Sequence, residues 1–341
     1  MLLFFDGFEH YVPNQDLPTG GKWNHPGGNV MQIRNNFSRT GTGSAFTYNA
    51  NFQNNTKNFV TTGGVVVGVA WYTDAWSYTT SANLFTVREG GINHLAVGLN
   101  AAQQLVIFRG ATIIATGTTV FPMNSWYYIE FKAIIHDTAG SYEVRVDGVT
   151  ELSASGIDTR NGGTGPWNNV WLASPSNSNA WFDDFYLLDT SGATLNDFLG
   201  PVRVETLFPQ TDAVAAGTHA GLTPSTGTDH GAMVDEPAPN TTDYNSSAVV
   251  GAKDTYQYPS MTLAGVIHGI QTNLYVAKSD AAIRRVCPVV RVNGVDYDGP
   301  DFNPLTTFNW WSEVRAVNPN TGLPWTVADI AALEVGMKVT V

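Results

Sequence analysis

Trp126-Tyr-Tyr-Ile-Glu-Phe-Lys-Ala-Ile-Ile135, a polar break at His136-Asp-Thr-Ala-Gly140, and then Ser141-Tyr-Glu-Val-Arg-Val-Asp-Gly148 decide the fold. In the second run Tyr142, Val144 and Val146 alternate with Glu143, Arg145 and Asp147, the period-two pattern of a strand with one wet face. Asp147-Gly148 supplies a two-residue hairpin turn, because both central positions of such a turn need positive φ. Similar short runs lie on either side: Gly64 to Tyr72, Leu84 to Arg88, Leu95 to Leu99, Gln104 to Phe108, Thr112 to Thr116, Trp171 to Ala173 and Trp181 to Leu188. Each is bounded by Gly, Asn, Thr or Ser, so the expected architecture is antiparallel sheets packed as a sandwich.

Further along, Gly200-Pro201 punctuates the chain and Val202-Arg-Val-Glu-Thr-Leu207 opens a new run. We therefore expect two β-sandwich domains of jelly-roll type in tandem, residues 1–199 and 200–341, in an all-β chain. The stretch 218–245 is rich in Thr, Gly, Asp and Pro and reads as a long surface loop or arm. Strand patterns return over Ser260 to Val276 and Ile283 to Val292, the latter closed by the hairpin dipeptide Asn293-Gly294. Thr326 followed three residues later by Asp329 predicts one short C-terminal helix over 327–334, with Gly336 past its end.

Composition narrows the function. The chain has 341 residues, 13% charged and 12% aromatic, and a net charge of −12 that divides evenly between the halves. An acidic surface repels phosphate backbones, so nucleic acid is not an expected partner. The opening Met-Leu-Leu-Phe-Phe-Asp-Gly carries too short an apolar run for an export signal, and Gly64 to Trp71 is far below the ~20 residues that span a bilayer. Neither export nor membrane insertion is expected. Cys287 is the sole cysteine, in a strand-like setting that reads as buried rather than reactive.

Chemical motifs are sparse. The close-spaced carboxylate signature Glu-x-Asp-x-x-Glu of sandwich glycosidases is absent, as is a Gly-x-Ser-x-Gly elbow. Adjacent Asp183 and Asp184 should point to opposite faces of a strand and not cooperate. With a loop Asn or carbonyl, one of them is a weak calcium candidate. Calcium is thus the one cofactor left open, and none is otherwise expected. The histidines at 10, 25, 94, 136, 219, 230 and 268 show no metal-binding spacing, which argues against structural zinc. Trp76, Tyr78 and Trp167 sit in loop-like surroundings and are the candidates for stacking on sugar rings, core filling or subunit contact being the plainer alternative. Trp126, Trp171 and Trp181 lie inside strand patterns and read as core.

Two resemblances extend this reading. Phe4-Phe-Asp-Gly-Phe8, Trp126-Tyr-Tyr-Ile-Glu-Phe, Gly140 to Gly148 and Phe182-Asp-Asp-Phe-Tyr-Leu-Leu-Asp189 make residues 1–190 resemble concanavalin A-like, laminin G-like sandwiches. Residues 201–341, ending in Asn318-Pro-Asn-Thr-Gly-Leu-Pro-Trp-Thr-Val-Ala-Asp-Ile-Ala-Ala-Leu-Glu-Val-Gly336, resemble the C-terminal region of tailed-phage virion proteins. That resemblance implies a non-enzymatic structural component of a tailed bacteriophage particle, on the tail or tail fibre, with host-glycan adsorption. A capsid decoration protein and a free carbohydrate-binding module are the alternatives. It also implies assembly in the host cytoplasm, contacts with other virion proteins and with copies of itself, and no catalytic residues.

Overall fold

The computed structural model describes residues 1–341 apart from 18–21, 25–30, 42, 48–51, 57, 76–80, 175–178 and 263. It is nearly all β and divides into two compact units, Met1–Val204 and Glu205–Val341. The expected break at 199/200 falls four to five residues early for a physical reason: the intervening residues are tied onto the first unit's sheet. Leu199 N donates to the Tyr186 hydroxyl (3.2 Å), Gly200 N to Glu130 Oε1 (2.8 Å) and Val204 N to Asp184 Oδ1 (2.7 Å).

The first unit is a sandwich. One sheet runs Val149–Ile157, Gly140–Val146, Tyr127–Ile134, Val65–Thr73, Ala180–Asp189, Ser44–Thr47, Gln32–Arg34, and Leu2–Asp6 also pairs with Ala180–Asp189. The other runs Thr112–Val120, Gln104–Arg109, Ile92–Leu99, Ala82–Glu89, Asn169–Ser174, Phe52–Thr56, Trp23–Asn24. Every pairing in both is antiparallel. Asp147 and Gly148 take φ of 50° and 82°, the mirror-image turn that matches strand twist.

Register fixes which residues face the core. Tyr127, Ile129, Phe131 and Ala133 lie opposite Trp71, Val69, Val67 and Val65, and this set points at the second sheet, where Phe131 meets Phe85 with ring centroids 5.9 Å apart. Alternation then sends Tyr72, Tyr128, Glu130 and Trp181 to the outer face. Gly68 shares that outer face, and a Cβ there would run into the ring of Tyr186.

In the second unit one sheet runs Thr218–Ala220, Lys253–Gln257, Glu334–Val339, Val286–Val292, Val295–Asp298, beside the pairs Thr223–Pro224 with Asn245–Ser246 and Ile270–Val276 with Asn309–Arg315. Val290, Val292, Trp325, Ile330, Leu333 and Val335 form one apolar cluster, and Leu222, Ala252, Val286, Phe302 and Val339 another. The helix forms over Val327–Ala331 with the expected capping box between Thr326 and Asp329, but Glu334 already begins the last strand. A second short helix spans Asp212–Ala215. The stretch 218–245 is no free arm: Thr218–Ala220 is an edge strand, Leu222 is 6% exposed in a core cluster, and Asn245 Nδ2 donates to the His230 carbonyl (2.8 Å). Cys287 is buried, and burial pushes its thiol up to about 11, which keeps it protonated and unreactive.

Candidate functional site

The outer face of the eight-stranded sheet carries both the acidic pair and a group of aromatic rings. Asp184 has φ of 50°, and the pairing with Val65–Thr73 shifts register between Asp183 and Tyr186. This bulge corrects the expectation that adjacent aspartates cannot act together. Asp183 Oδ2 accepts from the backbone N–H groups of Arg39 (2.8 Å) and Thr40 (3.1 Å), while Asp184 accepts from the Thr40 hydroxyl (2.6 Å) and pairs with the Arg39 guanidinium at 2.7 Å. Both carboxylates are fully buried. Burial, and then the neighbouring Asp184 charge, push the Asp183 carboxyl well above the ordinary carboxylate range, against the hydrogen bonds from Thr40 and Arg39. The weak calcium candidates are therefore brought together with their oxygens engaged by protein donors. Their evident work is to hold the 37–40 segment and Val204 against the sheet.

That segment sets Phe37 among sheet aromatics. Its ring lies 4.5 Å from Tyr72, 5.2 Å from Trp181 and 5.6 Å from Trp126, the last nearly parallel at 13°. Tyr72 in turn lies 5.5 Å from Trp126 and 5.3 Å from Trp181. All four rings are half-buried, so part of each meets solvent. The Tyr72 hydroxyl donates to Asn124 Oδ1 (3.1 Å), and exposed Asn35 and Asn36 immediately precede Phe37.

The tryptophans inside strand patterns do not fall where the sequence reading put them. Trp167, a stacking candidate for which core filling was one of the plainer alternatives, is completely buried with its indole N–H on the Gly63 carbonyl (3.2 Å), and its own carbonyl takes the Thr61 hydroxyl. Trp126 and Trp181, expected in the core, lie on the outer face. Trp171 is also half-buried, with the Arg88 guanidinium 3.4 Å from its ring centroid. Trp76 and Tyr78 lie outside the described residues. The signal that finds the outer pair is parity: Trp126 shares it with Glu130 and Lys132, and Trp181 shares it with Asp183.

Beneath the sheet edge, a polar knot centres on Asp6. Its carboxylate accepts from the Tyr11 hydroxyl (2.6 Å), Trp23 Nε1 (2.7 Å) and the Phe8 amide (2.9 Å), with Lys22 Nζ at 3.4 Å. Burial disfavours its charge, but Lys22, His10 and these hydrogen bonds hold the carboxyl below its ordinary value. The Phe4-Phe-Asp-Gly-Phe8 motif is in this way an anchor for the first strand rather than a reaction centre.

No protein-family model matches the chain, and no curated protein sequence does. Solved structures share its sandwich at low identity. An endo-β-1,4-glucuronan lyase from Trichoderma reesei is 11% identical over 55% of this chain and 96% of its own, with a TM-score of 0.42. The carbohydrate-binding module CBM66 from Bacillus subtilis is 10% identical over 52% and 98%, with a TM-score of 0.34. An alginate lyase in complex with an alginate trisaccharide is 12% identical over 43% and 81%, with a TM-score of 0.34. These matches concern the fold alone. The expectation of a chain without enzymatic activity does not stand beside them, because polysaccharide lyases are among the structures that share the sandwich. None of these three is a phage particle protein.

Proposed function

We propose that the first unit binds a glycan on the outer face of its larger sheet, with Trp126 and Trp181 as the stacking surface and Tyr72 and Phe37 completing it. The observation that carries this reading is the cluster of four half-buried rings on a sheet face, in which Phe37 and Tyr72 each touch the other three and Phe37 lies nearly parallel to Trp126. Aromatic faces pack against the C–H faces of pyranose rings, and amides such as those of Asn35, Asn36 and Asn124 suit the hydroxyls. Affinity electrophoresis through gels containing bacterial surface polysaccharides tests it. The chain should be retarded in at least one gel, and Trp126→Ala and Trp181→Ala should each restore free migration without changing mobility in a sugar-free gel. Equal migration of all three proteins in every gel would contradict the proposal.

The setting we propose is the tail or tail fibre of a phage particle, with this face turned towards host glycan; the motif at 318–336 supports it. Immunogold with an antibody against residues 1–190 should label tails or fibres in a producing culture. Label over heads would indicate a decoration protein, and antigen found only free in the lysate would sink the particle setting.

A further inference from the structure

We propose that the second unit holds a divalent transition-metal cation, of the zinc type, between His219 Nδ1, His230 Nδ1 and Asp254 Oδ2. One ligand atom from each of these three residues lies within 4.8 Å of the other two. Sequence spacing concealed the site, since the two histidines are far from each other and from Asp254 along the chain. Pairing of Thr218–Ala220 with Lys253–Gln257 sets His219 opposite Asp254, and the turn at Gly231–Met233 returns His230 to the same place. The two imidazoles then stack with centroids 4.3 Å apart and planes 9° from parallel.

The hydrogen bonding calls for a cation. Asp212 Oδ1 lies 2.9 Å from His219 Nε2, and Asp212 is itself fixed by the His230 amide (2.7 Å). A carboxylate only accepts, so the Nε2 of His219 carries a proton, and the lone pair left to a cation is the one at Nδ1. That Nδ1 is buried without a hydrogen-bond partner and faces Asp254 Oδ2 at 3.8 Å, beyond hydrogen-bond reach. Asp254 is wholly buried, and its Oδ2 also accepts from His230 Nδ1 at 2.6 Å, so that nitrogen carries a proton which a bound cation would displace. A cation among the three would take the place of that proton and give the unpartnered His219 Nδ1 a partner. The carboxylate behind His219 is the outer partner that metal-bound histidines ordinarily have.

The dimensions fit. Tetrahedral zinc with bonds of about 2.0–2.1 Å spaces its donors by roughly 3.3 Å, so His230 Nδ1 and Asp254 Oδ2 need to part by ~0.7 Å and His219 Nδ1 to close by ~0.5 Å. Three protein donors leave one position for water or for a ligand from solution. The ion would fasten the edge strand and the turn at 231–233 to the interior strand Lys253–Gln257.

The test uses the full chain stripped with chelator and then titrated with cobalt(II) or zinc. One equivalent of cobalt should produce the intense visible bands of a tetrahedral site, zinc should bleach them, and Tm should rise until one equivalent is bound. His219→Gln and His230→Gln each retain a hydrogen-bonding side chain and fold without the ion; both should lose the bands and the Tm rise. Absence of bands and of any metal-dependent Tm change in the wild type would overturn the site in favour of a protonated histidine pair. Bands that persist in both variants would overturn it in favour of other ligands.

Discussion

His10 offers a quantitative test of the core under the first strand. It is 5% exposed, its Nε2 lies 2.9 Å from Lys22 Nζ, and its Nδ1 lies 4.0 Å from Asp6 Oδ1. Burial, with Lys22 adding to it and Asp6 opposing, lowers the His10 pKa from 6.5 to about 3. An unfolded chain therefore takes up a proton on His10 below pH 6.5 that the folded chain refuses until about pH 3. The stabilisation is complete above 6.5 and declines as pH falls, with the slope at its limit of 1.36 kcal/mol per unit once the unfolded ring is protonated. From the ordinary histidine pKa down to pH 5 the loss is about 2 kcal/mol. Asp6 shifts with the same sign, but its window opens only below its ordinary value of 3.8, while burial lowers His94 and His268 in the same range as His10, so only the difference between wild type and a His10 variant isolates His10. The assay is urea unfolding followed by tryptophan emission, for wild type and His10→Gln at both pH values. The variant should be the less stable at pH 7.5, and the gap between the proteins should narrow by about 2 kcal/mol at pH 5.0. A gap that stays constant would show that His10 titrates normally in the folded state, and the buried Asp6–Lys22–His10 arrangement would be refuted.

Other outcomes follow from particular contacts. Trp167→Ala should cost roughly 3–5 kcal/mol in urea unfolding, as other buried Trp truncations do, yet leave glycan retardation unchanged; the reverse pattern would return Trp167 to the ligand surface. Arg39→Met leaves the Asp184 carboxylate buried without its cation and should cost about 3–5 kcal/mol at neutral pH; a loss under 1 kcal/mol would show the pair to be solvated. Thr326→Ala removes the cap of the last helix and should cost about 1 kcal/mol. Cys287 should resist thiol reagents in the native protein and react once in urea; native labelling would contradict its burial.

The sequence made the architecture legible wherever local chemistry sets it. Asp147-Gly148 and Asn293-Gly294 turn as hairpins because both residues of each pair take positive φ. The Thr326–Asp329 capping box lies within one helical turn, and so it too could be read directly. What escaped depends on long-range geometry. A tryptophan inside a strand pattern is apolar on either face, and only parity with Glu130 or Asp183 separates Trp126 and Trp181 from the core. The bulge at Asp184 has no turn dipeptide to announce it, since an aspartate at positive φ is held there by Thr40, Arg39 and Val204. Polar composition over 218–245 suggested an arm, because the side chains that pin it, His219, His230 and Asn245, are themselves polar. Residues 260–269 alternate like a strand, but pairing begins only at Ile270, where Asn309–Arg315 supplies a partner.

The measurement that bears most directly on the central claim is a fluorescence titration of wild type, Trp126→Ala and Trp181→Ala with oligosaccharides cut from whichever polysaccharide retards the chain. Stacking on the outer face predicts a saturable change in wild-type emission and a loss of affinity of at least tenfold in each variant. A change that saturates at the same concentration in all three proteins would place the sugar elsewhere and contradict the account.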